Sequence, residues 1–302
     1  MKEKELINII KSTLNSEYIG DDCAYLKDLD IVVTQDSLVE DVHFSLEYTN
    51  AYQLGWKSVM VNISDVCASG AKPEYLTIAL SIPKYINSDF VKEFYKGAQD
   101  ASKDVKIVGG DITGSNKLYI SVSAIGSTKG RKISSRANAK DGYKIIVSGE
   151  HGNSATGLKI LKSEIDFQKD NDFFVKSHLM PKAKIDFSKE ISMNIQCDYA
   201  MMDTSDGLAD ALFQIANASQ LTLKIDSAKI PHNKNVDMET VLYGGEDYEL
   251  VAVVPDNILS KVSNYAIIGE AISGKPAVEI DGKIITNVDN KIFNHFEENN
   301  EN

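Results

Sequence analysis

Apolar residues recur at two different spacings along this chain. Leu6, Ile9, Ile10 and Leu14 share one helical face, so residues 3–14 predict a short helix. Trp56, Met60, Ile63 and Cys67 repeat at four, three and four, which predicts a helix over 51–69 with Gly70 as its C-cap. Further helices are expected over 88–103, 154–163 and 206–218, the last with Leu208, Leu212 and Ile215 as its buried stripe. Strands are expected at Asp30–Asp36, Lys106–Val108, Leu118–Ile125, Tyr143–Ser148, Ala200–Asp203, Tyr248–Val254 and Tyr265–Gly269. The polar tail Glu297–Asn302 is expected to fray.

The segment Gly126–Gly142 is polar, basic and rich in Ser and Gly, and it interrupts this pattern. A chain of 302 residues is long for one hydrophobic core, so two domains are expected, 1–137 and 138–302. Both halves mix strands with helices. Neither shows the strict alternation of a doubly wound sheet, so the fold class is α/β in the mixed, α+β sense.

Composition narrows the function. No run of 18 apolar residues is present, which excludes a membrane-spanning helix, and the N-terminus lacks the apolar stretch of a secretory signal. Cys23, Cys67 and Cys197 lie far apart with no CxxC pair, which argues against a disulfide framework or a zinc ribbon and for a reducing cytoplasm. Net charge is -12 with the basic residues scattered, so a nucleic-acid partner is not expected.

The position of the acids carries more than their number. Asp22 sits in a Gly turn, Asp36 ends a strand, and Asp65 lies late in an otherwise apolar helix. Asp111 follows Gly109-Gly110, and Asp203 and Asp206 straddle a strand-to-helix junction. Any one of them is explained by the preference of Asp for turns and helix starts. Together they suit hard divalent cations, which take carboxylate and phosphate oxygens. Acids can face a polyphosphate such as ATP through such ions, which would neutralise charge on a transferred phosphoryl group. Ser205 is expected to cap the helix that follows, with Asp206 in its first turn. No GxxxxGK[ST], HRD, DFG, helix-opening GxGxxG or HExxH motif competes. Cys23 and Cys67 read as packing residues.

Six blocks in order then suggest a family. Gly20-Asp21-Asp22-Cys23-Ala24, Thr34 to Phe44, and Val61 to Pro73 resemble the N-terminal signature of the thiamine-monophosphate kinases. Gly109-Gly110-Asp111-Ile112-Thr113, Met202 to Leu208, and Gly244 to Leu250 continue the resemblance. It implies the two-domain architecture shared with aminoimidazole ribonucleotide synthetase, a homodimer, and Mg2+-dependent phosphoryl transfer from ATP to thiamine monophosphate. It implies metal-ligand roles for Asp22, Thr34, Asp36, Asp65, Asp111, Asp203 and Asp206, with Asp36, Asp65 and Asp203 at the reacting phosphoryl group. It implies that Gly110, Asp111, Arg136 and Ser205 contact ATP, and that His43, Glu246 and Phe293 touch the thiamine substrate. The chain departs from the pattern at Gln35, where Thr is common, at Asn153 in place of Asp, and at Phe293 in place of Trp or Tyr. An ATP-dependent synthetase on the same scaffold and a non-catalytic nucleotide sensor stand as the alternatives.

Overall fold

The computed structural model describes residues 3–285 together with 287, 288 and 291. Phe293 and the polar tail lie outside the described residues. Two sheets organise the chain. The first has five strands in the order β1-β2-β5-β3-β4, from β1 (Ala24–Leu26), β2 (Ile31–Val39), β3 (Lys72–Ile82), β4 (Lys106–Gly114) and β5 (Tyr119–Ser127). The second has seven, in the order β12-β11-β8-β10-β6-β9-β7. Its strands are β6 (Lys144–Val147), β7 (Ala200–Asp203), β8 (Leu221–Ile225), β9 (Leu250–Val254), β10 (Ala266–Ser273), β11 (Ala277–Ile280) and β12 (Lys283–Ile285).

The helices are α1 (Glu3–Leu14), α2 (Ala51–Ala68), α3 (Ser88–Ser102), α4 (Asn153–Leu161), α5 (Asn171–Leu179), α6 (Ile185–Asn194), α7 (Leu208–Ser219) and α8 (Met238–Tyr243). Helix α2 is the axis of the molecule. It packs on β2, β3 and β5 of the first sheet and on β7, α5 and α6 of the second half. A helix buried from both sides cannot be amphipathic. Accordingly its buried residues, from Leu54 to Ala68, run all the way round it. Its start is fixed by a capping box: Asn50 Oδ1 accepts from the Gln53 N–H at 2.9 Å, and Gln53 Oε1 accepts from the Asn50 N–H at 3.1 Å. Its end is Ser69, one residue earlier than expected for Gly70. Gly70 follows with φ +84, the left-handed conformation that closes a helix after its cap. Helix α3 crosses α2 at glycine pairs. A Cβ on Gly55 would lie 1.9 Å from the Phe94 carbonyl oxygen, and one on Gly97 would lie 1.9 Å from that of Tyr52.

The second sheet is covered on both faces. Ile146, Met201, Leu250, Ala252 and Val254 join the core that contains α2 and α6. Ile145, Val147, Ala200, Met202, Val251 and Val253 join a second core under α7 and α8. This double burial explains the unbroken apolar run of β9. The stripe expected on α7 is found, with Leu208, Leu212 and Ile215 fully buried. That on α1 is not buried, since Ile9, Ile10 and Leu14 are exposed.

Three expectations are corrected. Strand β4 does not stop before Gly109-Gly110-Asp111 but runs through them to Gly114. An edge strand with exposed faces loses little packing to glycine. Helix α7 starts at Leu208, not 206. Gly207, at φ +100, is its N-cap, no side chain caps it, and Ser205 and Asp206 lie in the turn before it. Strand β9 starts at Leu250 rather than Tyr248, because Glu246 and Tyr248 have positive φ of 65 and 52 in the preceding turn.

Candidate active site

Three carboxylates meet between the two sheets. Asp22 comes from the loop before β1, Asp65 from the last turns of α2, and Asp203 from the end of β7. Each offers an oxygen within 4.8 Å of those of the other two. Asp22 and Asp65 are largely buried and Asp203 is fully buried. Burial pushes the Asp203 carboxyl up to about 7, with Asp22 adding repulsion. Asp65 is raised well above its ordinary value, first by burial and then by Asp36, Asp203 and Asp22. Asp22 is also raised by burial, against the opposing pull of Arg136, whose Nη2 lies 3.0 Å from Asp22 Oδ1.

Each acid is held by a neighbour. Thr34 Oγ1 donates to Asp65 Oδ2 at 2.7 Å, and Ser64 Oγ donates to Asp203 Oδ2 at 2.6 Å. The Ser205 N–H reaches Asp203 Oδ1 at 3.3 Å. The Asp36 N–H donates to Asn62 Oδ1 at 2.9 Å, which ties β2 to α2. Thr34 and Asp36 share the strand face that carries the buried Val32 and Leu38, so both point toward α2. Gln35 points the other way, where it accepts from Ser123 Oγ at 2.8 Å. The departure at Gln35 therefore removes no side chain from the acid cluster.

Glu246 forms a second centre. Its N–H donates to the Ser205 carbonyl at 2.6 Å, so the two turns are joined. Lys57 Nζ lies 3.0 Å from Glu246 Oε1 and His178 Nδ1 lies 3.3 Å from Oε2. Burial pushes the Glu246 carboxyl up, but Lys57 beside it leads the groups that outweigh burial, and the net direction is down. His43 is fixed by its own turn, since its Nδ1 accepts from the Val39 N–H at 3.1 Å. Tyr248 is buried among these groups, and its phenol is raised by burial, then by Glu246, Asp36, Asp203 and Asp65.

Of the residues expected at the site, Asp22, Thr34, Asp36, Asp65, Asp203, Ser205 and Arg136 are thus brought together, with His43 and Glu246 alongside. Asp206 is exposed in the same turn as Ser205. Gly110 and Asp111 are not part of the cluster within one chain. They lie on β4, with β3 and β5 between them and β2. In register, Asp111 pairs with Ala79, Ala79 with Ser121, and Ser121 with Ser37, which is the face opposite Asp36. Asn153 opens α4 and its Nδ2 donates to Glu150 at 3.1 Å; the neighbouring Asp247 accepts from the backbone N–H groups of Gly152 and Ser154. Cys23 and Cys67 are packing residues, and burial pushes the Cys67 thiol up to about 12.

Sequence reasoning missed Ser64, Lys57, His178 and Tyr248. Lys57 carried a signal, as a charge inside an apolar helix. His178 lies in α5, which was not expected at all, and its partner is 68 positions away in sequence by subtraction of 178 from 246.

Residues 20–128 match AIR synthase related protein, N-terminal domain, and residues 140–281 match its C-terminal domain. The thiamine-monophosphate kinase of Aquifex aeolicus is 34% identical over 306 residues, covering 96% of this chain and 97% of its own. The chain belongs to the thiamine-monophosphate kinase family. Another member of this kinase family, from Synechococcus elongatus, is 32% identical over 315 residues, covering 97% of this chain and 96% of its own. The solved structure of AaThiL complexed with AMPPCP and TMP superposes with a TM-score of 0.89 at 33% identity, covering 98% of this chain and 97% of that one.

Proposed function

We propose that this chain transfers the γ-phosphoryl group of ATP to thiamine monophosphate, giving thiamine diphosphate and ADP in a Mg2+-dependent reaction. The observation that carries this reading is the convergence of Asp22, Asp65 and Asp203 from a loop, a helix and a strand. Kinship with thiamine-monophosphate kinases, and with a structure holding AMPPCP and TMP, supplies the substrates.

The donor set fits magnesium. It consists of carboxylate oxygens without thiol or imidazole, and burial leaves their charge compensated only in part, by Arg136. Bound there, the cation supplies charge neutralisation for the polyphosphate. We assign its ligands to Asp22, Thr34, Asp36, Asp65, Asp203 and Asp206, and to Asp111, which the fold sets apart from them within one chain, only through a partner copy. Arg136 has a buried Nε without a hydrogen-bond partner, a donor suited to a phosphate oxygen of ATP. Ser205, Gly110 and Asp111 complete the ATP contacts in this reading. Glu246 and His43 hold the thiamine moiety. The acceptor phosphate oxygen is already anionic at neutral pH, so no strong base is required. What the side chains must provide is position and charge complementarity.

The unit 1–137 carries most of the acids, and 138–302 closes the site with Asp203, Ser205 and Glu246. A homodimer agrees with the first sheet, whose outer face exposes Tyr75 and Tyr119, and with the edge strand β4, which exposes Val108 and Ile112. That face also carries Asp111. Among the described residues no helix is long and apolar enough to cross a membrane. The three free cysteines agree with a cytoplasmic setting.

The test is phosphorus NMR of the purified protein with ATP, Mg2+ and thiamine monophosphate. ADP and thiamine diphosphate should rise together without inorganic phosphate. Release of inorganic phosphate would point instead to a synthetase, and no turnover to a sensor.

A further inference from the structure

The ion pair beneath Glu246 has no evident structural purpose. Lys57 is 1% exposed and stands in the middle of α2, a helix otherwise packed with apolar and small side chains. Taking an ammonium out of water costs several kcal/mol, and an apolar side chain of equal size serves a core as well or better. Among the described residues its one ion-pair partner is Glu246, at 3.0 Å. His178 is as deeply buried, 2% exposed, and reaches the other carboxylate oxygen at 3.3 Å. Burial first and Lys57 second push the His178 imidazole down to about 3, so the ring is neutral. A neutral ring this close to a carboxylate is favoured with its proton on the near nitrogen, so Nδ1–H is the group that faces Glu246 Oε2. Ser154 Oγ lies 3.1 Å from the same nitrogen and is a second acceptor for that proton, beside Glu246.

Three elements thus fix one carboxylate. Helix α2 supplies Lys57, α5 supplies His178, and the Ser205 carbonyl anchors the Glu246 backbone at φ +65. The Glu246 side chain keeps 26% exposure, and it bears on His43 and on Tyr48, whose phenol is raised by burial and then by Glu246. We propose that Lys57 and His178 are positioning residues that orient the Glu246 carboxylate for the thiamine moiety of the acceptor, and so set its affinity without touching it. The proposal rests on the assignment of Glu246 to the acceptor made above.

The experiment uses Lys57→Met, Glu246→Gln, the double variant, and the pair His178→Ala and His178→Asn. KM for thiamine monophosphate, KM for ATP and kcat are measured for each, with circular dichroism as the check on folding. Losing a charge-assisted contact at one end of Glu246 should raise KM for thiamine monophosphate by about tenfold in Lys57→Met, with KM for ATP and kcat within about twofold. His178→Ala should raise it by roughly threefold, and His178→Asn, whose amide N–H falls near the position of Nδ1, should restore it. The double variant should be no worse than Glu246→Gln alone, because both changes remove the same contact. If Lys57→Met leaves that KM unchanged while Glu246→Gln raises it, or if the two effects multiply, the positioning role is wrong. Should Lys57→Met not fold, the histidine pair decides: no rise in His178→Ala, or no recovery in His178→Asn, overturns the proposal. No effect of Glu246→Gln itself would instead remove the assignment of Glu246.

Discussion

Asp203→Asn should stabilise the metal-free protein at neutral pH and inactivate it. The folded carboxyl of Asp203 is raised from 3.8 to about 7, by burial first and then by Asp22. In the unfolded chain it returns to its ordinary value. The folded state therefore holds the proton more tightly, and stability is lost as pH rises from the unfolded value to the folded one. About three pH units correspond to roughly 4 kcal/mol, fully incurred above about pH 7 and absent below about pH 4. Asparagine carries no charge and does not titrate. Its carbonyl oxygen can keep the bond from Ser64 Oγ, and its amide then faces the Ser205 N–H, which costs about 1 kcal/mol. The net gain is roughly 3 kcal/mol above about pH 7, or around 6 °C in Tm for a chain of this size. Thermal unfolding in EDTA, followed by fluorescence from about pH 4 to about pH 8, measures it. The gap between variant and wild type should open across that range. In saturating Mg2+ the wild type should recover and the variant should not. A gap that stays constant with pH, or a variant less stable than wild type at about pH 8 without metal, would refute the reasoning.

Further outcomes follow from the same geometry. Asp65→Asn should lower kcat by on the order of 100-fold or more while the protein remains folded, checked by steady-state kinetics at saturating Mg2+ beside circular dichroism. Near-normal turnover would refute the metal-cluster reading. Arg136→Met should raise KM for ATP by about tenfold and leave KM for thiamine monophosphate within about twofold. Gly97→Ala places a Cβ 1.9 Å from a backbone oxygen of α2 that cannot swing aside. It should cost on the order of 3 kcal/mol, read as a drop in the midpoint of urea unfolding.

Much of the site was legible because its residues are locally unusual. An acid beside glycine, or inside an apolar helix, stands out in a linear string, and Asp22, Asp65 and Asp203 all did. Two of the elements that carry them were legible too: α2 from Trp56, Met60, Ile63 and Cys67 at helical spacing, and β7 as the short apolar strand Ala200–Asp203. Strand β3 was overlooked although Leu76, Ile78 and Leu80 alternate cleanly and are buried. The Pro73 at its start and the preceding glycine turn mask that signal. Helices α5 and α6 were missed because they are short, 9 and 10 residues, and their packing comes from α4 and α2. The extent of β4 was misjudged because two glycines read as a stop, whereas an edge strand tolerates them. The onset of α7 turned on Gly207, whose backbone conformation is set by the turn it shares with Gly244 and Gly245.

What no local pattern could show is that one helix serves both centres. Lys57 and Asp65 lie eight positions apart on α2 by subtraction, a little over two turns. Lys57 reaches Glu246, and Asp65 faces Asp22 and Asp203. Both sets of partners from the second half, Glu246 and Asp203, sit on turns that the Ser205 carbonyl and the Glu246 N–H tie together. The acids and the Glu246 carboxylate are therefore fixed to each other through α2 on one side and through that backbone bond on the other. Such a double tether restrains rigid-body movement between the two centres. Under the assignments proposed above, specificity for the acceptor and alignment of the phosphoryl group are set by the same packing. Repacking α2 against β7, for instance at Ile63 or Met201, should move KM for thiamine monophosphate and kcat together, whereas Lys57→Met should move the first alone.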